Sequence, residues 1–195
     1  MCREVARRFS QVYLDVNPKT EDEDYPAAGA LFPIPKALVG RVGRLPGIDG
    51  QQKMSKSLGN AIFLSDTPKE VQKKVNKIFT GRQSPTEPGD VTNALFQFVE
   101  AFVADPARVE ELKRKYAAGD NIGDGHVKAE LAENINALLE PMRHRRASLE
   151  GESGDARVIQ IIREGTRRAN AVAEETLYLA KKAMRLDFGS RELKA

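Results

Sequence analysis

One cysteine, Cys2, is the whole thiol content of this 195-residue chain. A lone thiol closes no internal disulfide and builds no zinc or iron–sulfur site, which fits a reducing compartment and makes cytoplasm the expected location. The sequence also lacks any run of eighteen apolar residues. Its first twenty residues carry Arg3, Arg7 and Arg8 among periodic apolar positions where a signal peptide would have an apolar core. No membrane-spanning or membrane-targeting segment is therefore expected. Histidine is scarce too, with only His126 and His144, and neither sign of charge dominates: 31 Lys and Arg face 28 Asp and Glu, a net charge of +3. The length and apolar content leave a soluble globular protein of one domain or two small ones, able to bury a core.

What the charge lacks in excess it has in segregation. Residues 36–82 hold ten Lys or Arg against Asp49, Asp66 and Glu70, whereas residues 83–124 hold twice as many acids as bases. The basic stretch is centred on Lys53-Met54-Ser55-Lys56-Ser57, followed by Leu58, Gly59 and Asn60. Such a stripe attracts phosphate on a nucleotide or along a nucleic acid. For Lys69 to Lys77 a solvated helix face serves equally well. Around KMSKS, the Gly-rich and polar stretches RVGRLPGIDGQQ and SLGN predict a mobile loop. Two lysines three apart in such a loop can reach different oxygens of a triphosphate, and serine hydroxyls or backbone N–H groups can bond the same anion. A loop that closes as charge builds on leaving pyrophosphate favours the transition state over the ground state, and so raises a rate and not merely an affinity.

The remaining pattern is mostly helical. Val5, Phe9, Val12 and Tyr13 predict a helix at the very start, without a capping residue. From Asn17 to Pro35 the EDED cluster, four prolines and a glycine predict a loop ending in the apolar stretch ALFPIP. Short strands are expected near Ala37–Val39 and Ala61–Leu64. Asp66 or Thr67 can cap a helix opened by Pro68, with Val71, Val75, Ile78 and Phe79 on one face and an end near Gly81. Leu95, Phe98, Val99 and Phe102 mark the next helix; Val109, Leu112 and Tyr116 mark another, stopped by Gly119. Val127, Leu131, Ile135, Leu138, Leu139 and Met142 form the cleanest stripe, and a long helix from about Asp155 to Arg185 carries Val158, Ile161, Ile162, Ala169, Val172, Leu177 and Ala180. These stripes are most simply the core of a helical bundle.

KMSKS is the second signature of class I aminoacyl-tRNA synthetases, and RLPGIDGQQKMSKSLGNAIFLSD resembles its form in the bacterial tryptophanyl-tRNA synthetases. DPARVEELKRKYAAG and GDGHVKAELAENINALLEPMRHRRASL are similar to that family's helical domain, CREVARRFSQVY to the helix after its central active-site segment, and REGTRRANAVAEETL to its final helix. The resemblance implies an α/β remnant of a Rossmann-type catalytic domain over residues 1–80. A mainly α-helical tRNA- and anticodon-binding bundle over residues 81–195 follows it, and the whole is mostly helical. It implies activation of tryptophan by ATP and transfer to tRNA(Trp), in a complete enzyme that is a homodimer. Lys53 and Lys56 would contact the phosphates, Lys56 foremost at the leaving pyrophosphate. Ser55 and Ser57 would donate hydrogen bonds, Met54 would pack under the loop, and Leu45 would lie against adenine through its backbone. Mg2+ would ride on ATP oxygens, with no dedicated protein site. Arg143, Arg145 and Arg146, around His144, would touch the tRNA backbone; a solvated helix end favoured by the helix dipole accounts for them as well.

The family's first signature, an H-x-G-H-like turn, is absent, and the residues that select the indole lie upstream of the matching segments. The expectation is therefore a C-terminal part that is inactive alone, with the opening helix and ALFPIP exposing apolar surface unless another chain or the N-terminal half covers them. A free-standing tRNA-binding or regulatory paralogue with a vestigial loop is the alternative. The segment GRQSPTEPGD also departs from the family, which usually has an Asp-Pro step after the threonine.

Overall fold

Three helix starts among the described residues follow a residue whose side chain accepts a free N–H of the first turn. A computed structural model describes residues 1–40 and 42–186 and contains α1 (Cys2–Tyr13), α2 (Pro68–Asn76), α3 (Ala94–Phe102), α4 (Pro106–Ala118), α5 (Asp124–Ala147) and α6 (Glu152–Ala183). Thr67, not Asp66, caps α2, in a reciprocal box with Glu70. Asn93 caps α3 and Asp105 caps α4, and Gly119 ends α4 in the left-handed conformation that a residue with a Cβ resists. Among the described residues no helix is long and apolar enough to cross a membrane.

The chain divides into two compact units, Val39–Glu150 and Met1–Leu38 with the chain from Gly151 on. In the first, α2 and α3 pack against α5, and α3 also packs against α4. Val71, Val75, Leu95, Phe96, Phe98, Val99, Leu112, Tyr116, Val127 and Leu131 are fully buried there. Each large apolar side chain so buried contributes roughly 1.5–3 kcal/mol. The sequence ALFQFVEAF is apolar on most sides, which suits α3 to its central place. The bundle expectation holds for α2–α5, with two adjustments. Helix α2 stops at Asn76, so Ile78 is buried but Phe79 is 76% exposed, and Leu138 lies on the exposed side of α5.

The expected strands do not form. Among the described residues there is no strand, only an isolated antiparallel bridge between Pro46 and Lys53. A strand is defined by a neighbour to pair with, and residues 37–39 and 61–64 have none here; Leu38 and Val39 are exposed. The Rossmann remnant is thus not visible as α/β structure within these residues.

In the second unit Ala6, Val16, Tyr25 and Ile34 form a small core. The stretch ALFPIP, expected to be exposed, instead covers part of α1: Ile34 is buried and the Phe32 ring meets Phe9 edge-on at 5.0 Å. Asp22 accepts both Arg7 Nε and Nη2 at 2.9 and 2.7 Å, tying the acidic loop to α1. The apolar stripe of α6 is not the core expected of it. Ile161, Ile162, Val172 and Leu177 are exposed, because no described element covers that face, and Val5, Val12 and Tyr13 of α1 are exposed as well.

An ion-pair fork joins α4 to α5. Arg108 donates from Nε and Nη2 to the two Glu130 oxygens at 2.8 and 2.7 Å, and from Nη1 to Glu111 at 2.6 Å. The Arg108 hydrogen bonds hold Glu130 below its ordinary value of 4.5, while those from Lys115 and then Arg108 pull Glu111 down to about 2. A carboxylate depressed on folding adds stability above its unfolded value, and that stability is lost as the pH falls through the folded value. Urea midpoints should therefore hold steady above pH 4.5 and fall between 4.5 and about 2. Glu130→Gln should make that fall shallower; an unchanged slope would show that the fork does not drive it.

Candidate functional site

Glycines and one asparagine shape the KMSKS segment. Ile48 anchors its start in the main core, and Gly47 N–H donates to Gln52 C=O at 2.6 Å, closing the Pro46–Lys53 turn. Gly50 and Gly59 both have positive φ, +71° and +64°, where the chain must reverse. The Asp49 carboxylate accepts the Gln51 and Gln52 N–H groups at 3.1 and 3.4 Å. At the far end Asn60, 3% exposed, reaches back across the loop. Its Oδ1 accepts Ser55 N–H at 2.8 Å, and its Nδ2 donates to Asp49 Oδ2 at 2.7 Å and to Lys53 C=O at 3.3 Å. These bonds hold the Asp49 carboxyl below its ordinary range, the Asn60 amide foremost. A Cβ on Gly47 would lie 2.2 Å from Asn60 Nδ2, so this close approach requires glycine.

On that frame Met54 tucks against the main core, and Ser55 and Ser57 share a hydrogen bond at 2.9 Å. Lys53 and Lys56 are exposed, and among the described residues neither ammonium has an ion pair or a hydrogen bond. Two other lysines of the basic stretch are occupied. Lys74 pairs with buried Asp66 at 2.6 Å and lies 4.2 Å over the Phe63 ring, and Lys36 pairs with Glu23. Leu45 packs its side chain on the main core at the loop entrance.

Lys56 borders an open cleft of about 750 Å³ whose wall includes Phe63, Met142 and Arg146. Lys56 and Arg146 thus face one cleft. Arg143 is placed differently: its Nε donates to Asp66 C=O at 2.9 Å and its Nη2 to Asn136 at 2.7 Å, pinning α5 to the start of α2. Arg145 is exposed, and Arg146 has only Glu150 near it, at 3.9 Å. Among the described residues no group of three or more His, Cys, Asp or Glu comes together to hold a metal ion.

Asp49 and Asn60 were not singled out in the sequence. The signal was faint: an Asp two residues before Gln-Gln in a Gly-rich turn, and an Asn directly after a Gly that the turn forces positive. Arg82 gave no signal. It lies buried, its guanidinium 4.3 Å over the Tyr116 ring and 3.8 Å from Asp124.

Comparison with known proteins places this geometry in context. The family described as tRNA synthetases class I (W and Y) matches residues 1–140. The tryptophan–tRNA ligase of Treponema pallidum is 40% identical over 189 residues, covering 95% of this chain and 51% of that protein. That of Clostridium longisporum is 35% identical over 191 residues, covering 95% and 51%. The chain therefore spans about half the length of these curated relatives. Among solved structures, Campylobacter jejuni tryptophanyl-tRNA synthetase complexed with ADP and tryptophan is similar with a TM-score of 0.64 and 26% identity, covering 94% of this chain and 52% of that one. The Giardia lamblia enzyme is similar with a TM-score of 0.55 and 31% identity, over 66% of this chain and 32% of that one.

Proposed function

The chain belongs to the class I tRNA synthetase family (W and Y), and from that premise we propose that it supplies the C-terminal half of a tryptophan–tRNA ligase. The tryptophan carboxylate attacks the α-phosphorus of ATP, the bond to the β-phosphate breaks, and tryptophanyl-AMP and pyrophosphate form. A terminal hydroxyl of tRNA(Trp) then takes the tryptophanyl group and AMP leaves. Residues 1–80 act as the remainder of the Rossmann-type catalytic domain, and 81–195 as the helical tRNA-binding domain, in a cytoplasmic homodimer.

The observation that carries this reading is the pair of exposed ammonium groups, Lys53 and Lys56, without counter-charge among the described residues, on a loop whose base is clasped. Cations held free and aimed at a developing charge stabilise it without first giving up a partner. Lys56 and Lys53 neutralise the departing pyrophosphate, Ser55 and Ser57 donate to its oxygens, and Met54 seats the loop. Leu45 offers its backbone to adenine. Mg2+ arrives bound to ATP, since KMSKS holds cations and hydroxyls and no carboxylate. Arg145 and Arg146 have charge to offer a tRNA backbone, whereas the Arg143 donors are already committed.

The test is tryptophan-dependent ATP–pyrophosphate exchange. A chimera joining the N-terminal half of the Treponema relative to this chain should exchange with tryptophan and not with tyrosine. The 195 residues alone should show no exchange above background; robust activity from them would contradict the need for the other half.

A further inference from the structure

We infer that Asn60 and Asp49 are positioning residues of the KMSKS loop, a polar clasp that sets the backbone from which Lys53 and Lys56 extend. The inference rests on the proposed ligase reading for its kinetic consequence, but its geometric content stands without it. Asn60 is buried to 97% and spends all three of its bonds on this one loop: one to Ser55 N–H, one to Lys53 C=O and one to Asp49. The first two flank Met54, so the amide plane fixes the peptide groups on both sides of the residue between the reactive lysine and its serine. Asp49 in turn holds the Gln51 and Gln52 N–H groups that lead into Lys53. The clasp therefore grips the chain before and after Lys53, and the Lys56–Gly59 turn, in which Gly59 N–H donates to Lys56 C=O at 3.3 Å, leads into Asn60.

Neither clasp residue points its polar atoms at a substrate, because every one of the named atoms is used within the loop. Their effect must pass through the lysines. Displacing a charge-stabilising group by about 1 Å costs on the order of 10²-fold in rate. The loss should fall on kcat, because the lysines act on charge that develops during the reaction, while the ground-state contact with ATP changes little.

Polarity gives a rescue test. Asp49→Asn sets an amide N–H₂ against the Asn60 N–H₂, and Asn60→Asp sets two carboxylates together. Made as a pair, the two substitutions restore a hydrogen bond between positions 49 and 60 with its donor reversed, and Ser55 N–H keeps its acceptor, while Lys53 C=O loses the donor that Asn60 Nδ2 supplies, so the recovery is partial. In the chimera each single variant should lower kcat for exchange about 10²-fold with KM for ATP within about threefold, and the pair should recover to within about tenfold of the parent. Single variants that keep kcat within twofold, a loss confined to KM, or a pair no better than the singles would overturn the inference.

A second measurement uses the 195-residue chain itself and no activity. Hydrogen exchange at Ser55 N–H should be slow in the parent, and faster in Asn60→Ala and in Gly47→Ala, whose Cβ would enter the Asn60 amide. Protection at Val71 and Leu131 should be unchanged, showing an intact core. Equal Ser55 protection in parent and variants would overturn the clasp directly. Failure of the ligase reading looks different: there, replacing Lys53 and Lys56 leaves the chimera's exchange rate unaltered while Ser55 protection still depends on Asn60.

Discussion

Replacing Lys53 and Lys56 together by Ala should lower tryptophan-dependent ATP–pyrophosphate exchange in the chimera about 10³-fold, with KM for tryptophan little changed. Removing one preorganised donor from a developing oxyanion typically costs about 10²–10³ in kcat. Two such groups acting on one leaving anion are not additive, so about 10³-fold for the pair is consistent with a smaller factor for each alone. Lys56→Ala should account for more of the loss than Lys53→Ala. Lysine-to-arginine at either position should restore charge but not rate, because a planar fork cannot place its charge as a point at the end of a flexible stem. A double variant within about fivefold of the parent would remove the chemical basis of the proposed function. The clasp would remain as a structural feature with no catalytic consequence.

The largest effect on stability should come from Asp124→Ala. Arg82 is a buried cation of the helical unit, its side chain only 3% exposed. It donates to Ile122 C=O at 2.8 Å and to Pro85 C=O, and lies over Tyr116. Asp124 is its counter-charge and also accepts the Tyr116 hydroxyl at 2.8 Å and the Thr80 hydroxyl. Burial first, then the bond to Asp124, pushes the Tyr116 phenol up and keeps it a neutral donor. Removing Asp124 strands a buried guanidinium and a buried hydroxyl at once, a change that costs about 3–5 kcal/mol in comparable settings. Asp124 is itself partly exposed, which puts the expectation near ~3 kcal/mol and a fall in Tm of about 6–12 °C. Asp124→Asn keeps the acceptor and should cost less. A loss under ~1 kcal/mol for Asp124→Ala, measured by urea titration, would mean that water or a shifted Arg82 replaces the carboxylate.

This network also shows why part of the molecule was not legible in the sequence. The helices were: Pro68 and Pro106 after capping residues, and Gly119 after Tyr116, are local signals, and α2 and α4 follow them closely. Arg82 is different. In a stretch rich in lysine it reads as one more surface cation, and only the fold puts Tyr116 and Asp124, 34 and 42 residues downstream, around it. The same limit applies to the arginines at the end of α5. Their helical spacing is visible, but not that Arg143 turns back onto Asp66 while Arg146 faces the cleft beside Lys56.

Patterning misled where burial needs a partner. The stripe of α6 has the helical period of a core, yet periodicity says only that one face is apolar and not what covers it. The extended segments near Val39 and Leu64 likewise have strand composition without a neighbouring strand. At the loop, KMSKS itself was plain in the sequence, whereas Asn60 was not. Its three bonds reach partners five to eleven residues away, through a turn set by Gly59.

Single-turnover kinetics on the chimera separate the two half-reactions and test most directly whether the loop acts on the departing pyrophosphate. With Lys56→Ala, formation of tryptophanyl-AMP at saturating ATP and tryptophan should slow by about 10²-fold or more. Transfer from preformed adenylate to tRNA(Trp), which releases no pyrophosphate, should stay within about threefold of the parent. Equal slowing of both steps, or of transfer alone, would contradict the account.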